Sequence, residues 1–135
     1  MIYRELSRVK HKREEGWLSE LVSMNYKDEP FNCLYSYLVS IVPGKTRANH
    51  YHKKKEEWLA ITSGKIALFL ENIKSKERKK IILDSNSKDY KIIYIPPFIA
   101  HAIKNVGDKE ASLVVFSRTS KDLDDTIPYK IKEEK

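Results

Sequence analysis

The apolar stretches of this chain are short, and each is closed within a few residues by a turn former. Residues 34–42 alternate, with Tyr35, Tyr37, Val39 and Ile41 on one face and Leu34, Ser36, Leu38, Ser40 and Val42 on the other. Pro43-Gly44 ends that run. Residues 65–71 set Ile66, Leu68 and Leu70 on a single face, and runs at 81–83, 91–95, 101–105 and 111–117 follow at close intervals. Turn clusters separate them: Ser63-Gly64, the polar stretch 72–80, 84–89, Pro96-Pro97 and 106–109. Residues 16–24 read as an earlier strand and 25–30 as a turn-rich loop. Residues 1–15, charged and aperiodic, read as an N-terminal arm or a first irregular strand, and 118–135 as a C-terminal tail. No helical period is sustained ahead of that tail. Short strands of this kind must bury one face against another sheet, which predicts a closed antiparallel all-β architecture in one domain spanning 1–135.

A chain of 135 residues is long enough to bury a core without covalent staples. Cys33 has no second cysteine to pair with, so a reducing compartment is expected and the thiol reads as a small buried hydrophobe. The first residues have no apolar core of signal-peptide length, and no run approaches a membrane span. The expectation is a soluble cytoplasmic protein with no membrane partner. Twenty-six Lys and Arg against 19 acids give a net charge of +7, yet the positive residues are interleaved with Glu and Asp. No helix-turn-helix pattern, zinc-finger spacing or aromatic RNA-binding signature accompanies them, so no nucleic-acid partner is expected. The same positive field suits a small anionic substrate.

Residues 44–64 carry the chemistry. His50 and His52, one residue apart, share a face of a strand, and Glu57 after a short Lys run returns on the neighbouring strand towards the same two rings. Two imidazoles and a carboxylate converging on one point suit a divalent transition metal. Gly44 precedes the first His by six residues and Gly64 follows the Glu by seven. This framing resembles the first sequence motif of the cupins, which are small double-stranded β-helix (jelly-roll) barrels. A later stretch, residues 95–105 (IPPFIAHAIKN), resembles their second motif, in which the His supplies a further metal ligand and the Asn lines the cavity. By that resemblance His101 joins the ligands and Asn105 the cavity wall. Tyr90 and Phe98 stand where the motif usually has glycines, which bears on the local turn and makes Phe98 a residue that would narrow the cavity mouth.

Each of these residues has another use when taken singly. A lone strand histidine is commonly a surface residue, Glu57 can pair with Lys53 or Lys54, His101 can be a hydrogen-bonded core histidine and Asn105 a turn former. Three His and one Glu in two framed motifs favour a metal site.

The likeness extends over nearly the whole chain, from about Gly16 to Ile131. Residues 13–20 (REEGWLSE), 43–52 (PGKTRANHYH), 95–97 (IPP), 101–107 (HAIKNVG) and 124–128 (DDTIP) together resemble nucleotide-sugar-modifying cupins. These include the cupin domains of capsular-polysaccharide enzymes, dTDP-4-dehydrorhamnose 3,5-epimerase relatives and dTDP-sugar 3,4-ketoisomerases. The resemblance implies proton removal beside a 4-keto group through an enediolate-type intermediate. It also implies that His50, His52, Glu57 and His101 hold one divalent ion (Zn, Mn, Fe or Ni). Arg47 would hold the substrate pyrophosphate or, alternatively, a salt bridge to Glu56 or Glu57. Trp58 and Asn105 complete the substrate-binding candidates. Tyr51, Tyr94 and Glu56 are acid–base candidates, and His52 or His50 becomes the base if no metal is held. The ketoisomerases tend to have Gln at the position of Glu57, so Glu57 favours metal. Two other classes remain open: an iron-dependent dioxygenase, and a non-catalytic sugar-binding or sensor module. Apolar residues on the second face of several strands, among them Ile92, Tyr94, Val114 and Phe116, predict a homodimer.

Overall fold

The computed structural model describes residues 3–25, 30–120 and 122–132. Its strands are β1 (Arg4–Ser7), β2 (His11–Arg13), β3 (Gly16–Leu18), β4 (Tyr35–Ile41), β5 (Thr46–Tyr51) and β6 (Glu57–Ser63). There follow β7 (Lys65–Asn72), β8 (Arg78–Asp84), β9 (Lys91–Ile95), β10 (Ile99–Asn105), β11 (Ala111–Ser117) and the short β12 (Ile127–Pro128). They form two five-stranded antiparallel sheets, ordered β1-β9-β6-β11-β4 and β12-β5-β10-β7-β8, with β2 and β3 as a separate hairpin. This is the all-β jelly-roll barrel that the strand pattern and the two motifs predict.

Alternation fills the barrel. Ile66, Leu68 and Leu70 of β7 are fully buried and lie opposite Leu83, Ile81 and Lys79 of β8. Across the other edge of β7 they face Asn105, Ile103 and His101 of β10. His101 is therefore the polar end of an inward apolar row. Each such aliphatic side chain contributes about 1.5–3 kcal/mol by leaving water. On β6 the inward residues are Glu57, Leu59 and Ile61, and Trp58 and Ala60 take the opposite face. Gly64 turns the chain into β7 at φ +82°, where a Cβ would meet Ala111 Cβ at 2.9 Å, so this position needs glycine.

The second face of the first sheet is not left wet. Ile92 and Tyr94 are buried, Val114 and Phe116 are half-buried, and Leu21 and Val22 pack on the same core. Ile92 and Tyr94, expected at a subunit interface, are thus covered from within the chain, while Val114 and Phe116 stay partly exposed. What stays exposed is a row on edge strand β4 and its flanks: Leu34, Leu38 (73% exposed) and Val42.

Several local expectations change. The first segment is an edge strand, since β1 pairs with β9 along Arg4–Ser7. The strand expected over 16–24 is only Gly16–Leu18, in the β2–β3 hairpin. Most of the loop expected at 25–30 lies outside the described residues, as do 121 and 133–135 of the tail. The described tail forms a 3-10 turn at Leu123–Asp125 and then pairs β12 with β5. Cys33 is exposed rather than buried. Among the described residues no helix is long and apolar enough to cross a membrane.

Candidate functional site

The site is built where β5 crosses β10. His101 lies opposite His50, Ala102 opposite Ala48 and Ile103 opposite Arg47, so Asn49 is one residue too many in β5. Ala48 (φ 72°) and Asn49 (φ 55°) are both left-handed, a conformation that two consecutive non-glycine residues adopt only when their surroundings hold them. The bulge shifts the phase of the strand. Arg47 and His50, an odd number of residues apart, therefore fall on the same inward-facing register. Arg47 is exposed and makes no ion pair with Glu56 or Glu57; those acids lie against Arg118 and against Lys55 and two histidines, respectively.

His50, His52 and His101 meet with ring centroids 5.0 Å (50–52), 4.6 Å (50–101) and 5.5 Å (52–101) apart. One nitrogen from each lies within 4.8 Å of the others. Glu57 Oε1 is 3.0 Å from His52 Nε2 and 3.9 Å from His101 Nε2. The protons follow from the backbone. His52 Nδ1 lies 2.8 Å from the carbonyl of Asp125 and His101 Nδ1 lies 3.2 Å from that of Ile99. A carbonyl only accepts, so both Nδ1 atoms carry hydrogen, and in its neutral form each ring turns an Nε2 lone pair into the site. His52 Nε2 and Glu57 Oε1 are buried without a hydrogen bond, although they touch. Two bare acceptors facing one another away from water are unfavourable unless a proton or a metal cation lies between them. Three imidazoles and a carboxylate are the donors a divalent transition ion takes, so the residues present fit the ion that the motifs imply.

The electrostatics agree. Burial acts to raise the pKa of Glu57, but in acid a hydrogen bond from His52 and the charge on His101, with Lys55 and the Tyr37 hydroxyl, outweigh it and hold the carboxyl at about 2. Tyr37 donates to Glu57 Oε2 at 2.7 Å, and Lys55 Nζ sits 3.8 Å from the same oxygen. Burial, then Glu57's charge, pushes the Tyr37 phenol up, so it keeps its proton. Burial and the two neighbouring rings lower His50 to about 4, and burial above all lowers His101. Both rings are neutral at pH 7, the form a metal requires.

The sequence matches the polysaccharide biosynthesis C-terminal domain family over residues 11–127. The chain belongs to this family. No curated protein sequence matches it. Among solved structures it is similar to QdtA, a sugar 3,4-ketoisomerase from Thermoanaerobacterium thermosaccharolyticum in complex with TDP. The two share 22% identity over 94% of this chain and 89% of that one, with a TM-score of 0.78. It is similar to a dTDP sugar isomerase from Desulfovibrio desulfuricans G20 at 14% identity over 96% and 84%, TM-score 0.87. WlaRB, a TDP-quinovose 3,4-ketoisomerase from Campylobacter jejuni, matches at 24% identity over 93% and 92%, TM-score 0.77. At these identities the likeness shows a shared fold.

In this member of the polysaccharide biosynthesis C-terminal domain family, several expected site residues stand elsewhere. Tyr51 lies between His50 and His52 and points to the opposite face, against Phe98 and Tyr129. Trp58, 1% exposed, flanks Glu57 and stacks on Tyr94 on that sheet's outer side. Tyr94 lies opposite Trp58 and donates to Glu56, so the two acid–base candidates pair with each other away from the histidines. Asn105, 1% exposed, is spent on the backbone: Nδ2 donates to Ile41 O (2.8 Å) and Lys109 O (2.7 Å), and Oδ1 accepts from Gly107 N–H (2.9 Å). It ties a turn and does not line the cavity. Phe98 takes the motif glycine's conformation at φ 65°, and its ring lies by Tyr51 and Lys74, so it does not narrow the mouth at the histidines. Tyr37, Lys55 and Asp125 are the contributors that sequence reasoning missed. A cleft of about 630 Å³ opens elsewhere, on the second sheet beside Phe69, Lys80, Lys104 and Ile131.

Proposed function

We propose that this chain acts on a nucleotide-activated 4-keto sugar in polysaccharide biosynthesis, moving a proton beside the ketone as an epimerase or isomerase. The observation that carries the reading is the convergence of His50, His52, His101 and Glu57, in which His52 Nε2 and Glu57 Oε1 are buried without a hydrogen bond. Support comes from neighbours described as ketoisomerases, one of them a His-to-Asn mutant of QdtA in complex with TDP-4-keto-6-deoxyglucose. His50, His52, Glu57 and His101 would hold one Zn, Mn, Fe or Ni ion. Such an ion supplies Lewis-acid polarisation of a ketone oxygen, which makes the neighbouring C–H more acidic.

The chain's own groups do the rest. Tyr37 and Lys55 keep Glu57 ionised. Arg47, brought onto the His50 face by the Asn49 bulge, offers a guanidinium fork to the pyrophosphate. His50, the least buried of the three rings and neutral at pH 7, is the one a substrate reaches first. Without an ion, His50 or the lone pair of His52 Nε2 accepts the proton. A homodimer belongs to this proposal, seated on the exposed row Leu34, Leu38 and Val42; light scattering that shows a monomer at micromolar concentration removes it.

The test is incubation with dTDP-4-keto sugars in heavy water, followed by NMR. Deuterium beside the ketone is expected. Binding without exchange would replace the reading with a sugar-binding module. Oxygen uptake with Fe(II), and neither binding nor exchange for the sugars, would replace it with a dioxygenase.

A further inference from the structure

Asp125 meets the site with two different parts of itself. Its carboxylate accepts from the backbone N–H groups of Lys53 (2.8 Å), Lys54 (3.2 and 3.1 Å) and Lys55 (3.0 Å). Three successive N–H groups pointing at one anion form a concave cradle, and this cradle is the turn that joins His52 to Glu57. Its backbone carbonyl takes the Nδ1 proton of His52 at 2.8 Å. Asp125 is 7% exposed, so water does not readily replace either set of bonds.

The segment that follows is fastened independently. Ile127 and Pro128 pair with Tyr51 and His50, Tyr129 N–H donates to Asn49 O at 2.8 Å, and Ile131 N–H donates to Asn49 Oδ1 at 3.1 Å. The carboxylate is therefore not needed to keep the segment on the barrel. It fixes where the 3-10 turn, and hence the Asp125 carbonyl, stands relative to His52.

We propose that Asp125 is a positioning residue that commits His52 to the Nδ1–H tautomer. Which ring nitrogen carries the proton is set by the hydrogen bond the other end makes. With the carbonyl held in place, His52 always presents a lone pair to Glu57 and His101. When the turn loosens, the proton is free to move to Nε2 and occupy the position a ligand or base must keep open. The proposal rests on the reading of His52 as a working ring of the site, and its direct readout does not need that reading to be right.

The experiment uses the whole chain with ¹⁵N-labelled histidine at pH 8 in chelator, as wild type, Asp125→Asn and Asp125→Ala. Two-bond ¹H–¹⁵N correlations report the tautomer of each ring, and His101, held by Ile99, is the internal control. Wild-type His52 is expected as Nδ1–H, with a shift to a mixed or Nε2–H population in the Ala variant, a smaller one in Asn, and no change at His101. Co²⁺ added alone after the chelator is removed should bind about 10- to 100-fold more weakly to the Ala variant, as is usual when an outer partner of a ligating histidine is lost. A role in turn stability alone would lower Tm and leave the tautomer as it was. An Nε2–H wild-type His52 overturns the proposal at once, as does an unchanged tautomer in the folded variants. If the Ala variant does not fold, the Asn variant, which keeps one oxygen for the turn, decides. If wild type binds no Co²⁺, the metal part of the proposed function fails while the tautomer still decides the role of Asp125.

Discussion

Acidifying the metal-free protein below neutrality should remove stability before its carboxylates titrate. The perturbation acts on His50, whose folded pKa of about 4 lies below the 6.5 of an ordinary ring. Between those values the unfolded chain binds a proton that the folded one refuses. The associated stability is present above pH 6.5 and is lost as the pH falls towards 4. The gap alone corresponds to roughly 3 kcal/mol at about 1.4 kcal/mol per pH unit. The ring keeps part of its surface in water, so screening reduces that to roughly 1–2 kcal/mol. His101 is shifted in the same direction and steepens the fall. Glu57 acts later: its carboxyl is held at about 2 against 4.5, so its contribution is intact above 4.5 and is lost between 4.5 and 2. Two stages of acid loss follow, separated near pH 4.5. The assay is urea unfolding in chelator at half-unit pH steps, read by fluorescence of Trp17 and the buried Trp58. The slope with urea should stay constant while the midpoint moves. His50→Gln should flatten the upper stage and leave the lower one. A free energy flat within about 0.5 kcal/mol from pH 7.5 to 5, the scale of a neutral surface change, would refute the crowding of neutral rings inferred here, as would an upper stage unchanged in His50→Gln.

Asn105→Ala should cost about 3 kcal/mol, because two carbonyls and one N–H lose their partner, with no effect on sugar binding by the folded protein; weakened binding at unchanged stability would return Asn105 to the cavity. His52→Ala should abolish most metal uptake, and equal metal content by mass spectrometry in both proteins would reject the ligand set. Arg47→Ala should weaken nucleotide-sugar binding by calorimetry while metal content and Tm stay at wild type, since its side chain is exposed. Gly64→Ala should destabilise by more than about 1 kcal/mol on denaturant unfolding, from the positive φ and the approach to Ala111.

The barrel was legible because the large apolar residues recur at period 2: Ile66, Leu68 and Leu70 announce β7, even though Ala67 and Glu71 between and beside them are buried too, and the alternation in 34–42 announces β4. The histidine cluster was legible in part because a His-x-His pair shares a face. The same rule turns four of the candidates chosen for their closeness in sequence away from the histidine cluster. Tyr51 sits between His50 and His52, Glu56 and Trp58 flank Glu57, and Tyr94 precedes Ile95, the residue opposite Glu57. Each is one step from an inward position and so faces away. Other features were out of reach. The bulge that brings Arg47 into phase depends on left-handed Ala48 and Asn49, with no glycine to mark it. Phe98 keeps a glycine conformation through its surroundings, since its N–H donates to His52 O at 2.8 Å. The Tyr37–Glu57 bond spans 20 residues and the Asp125–His52 bond 73, and local pattern carries no information about such pairings.

The sheet order also sets a timetable for synthesis. β6 lies between β9 and β11, and β5 between β10 and β12, so the strands flanking His50, His52 and Glu57 are all translated after them. His50, His52 and Glu57 leave the ribosome before the strands that pair beside them. Pairings this distant are slow to form and leave unpaired edges open to association in the interval. A polypeptide interrupted between Asn105 and Asp125 would contain every proposed ligand and still lack Asp125, whose carbonyl aims His52.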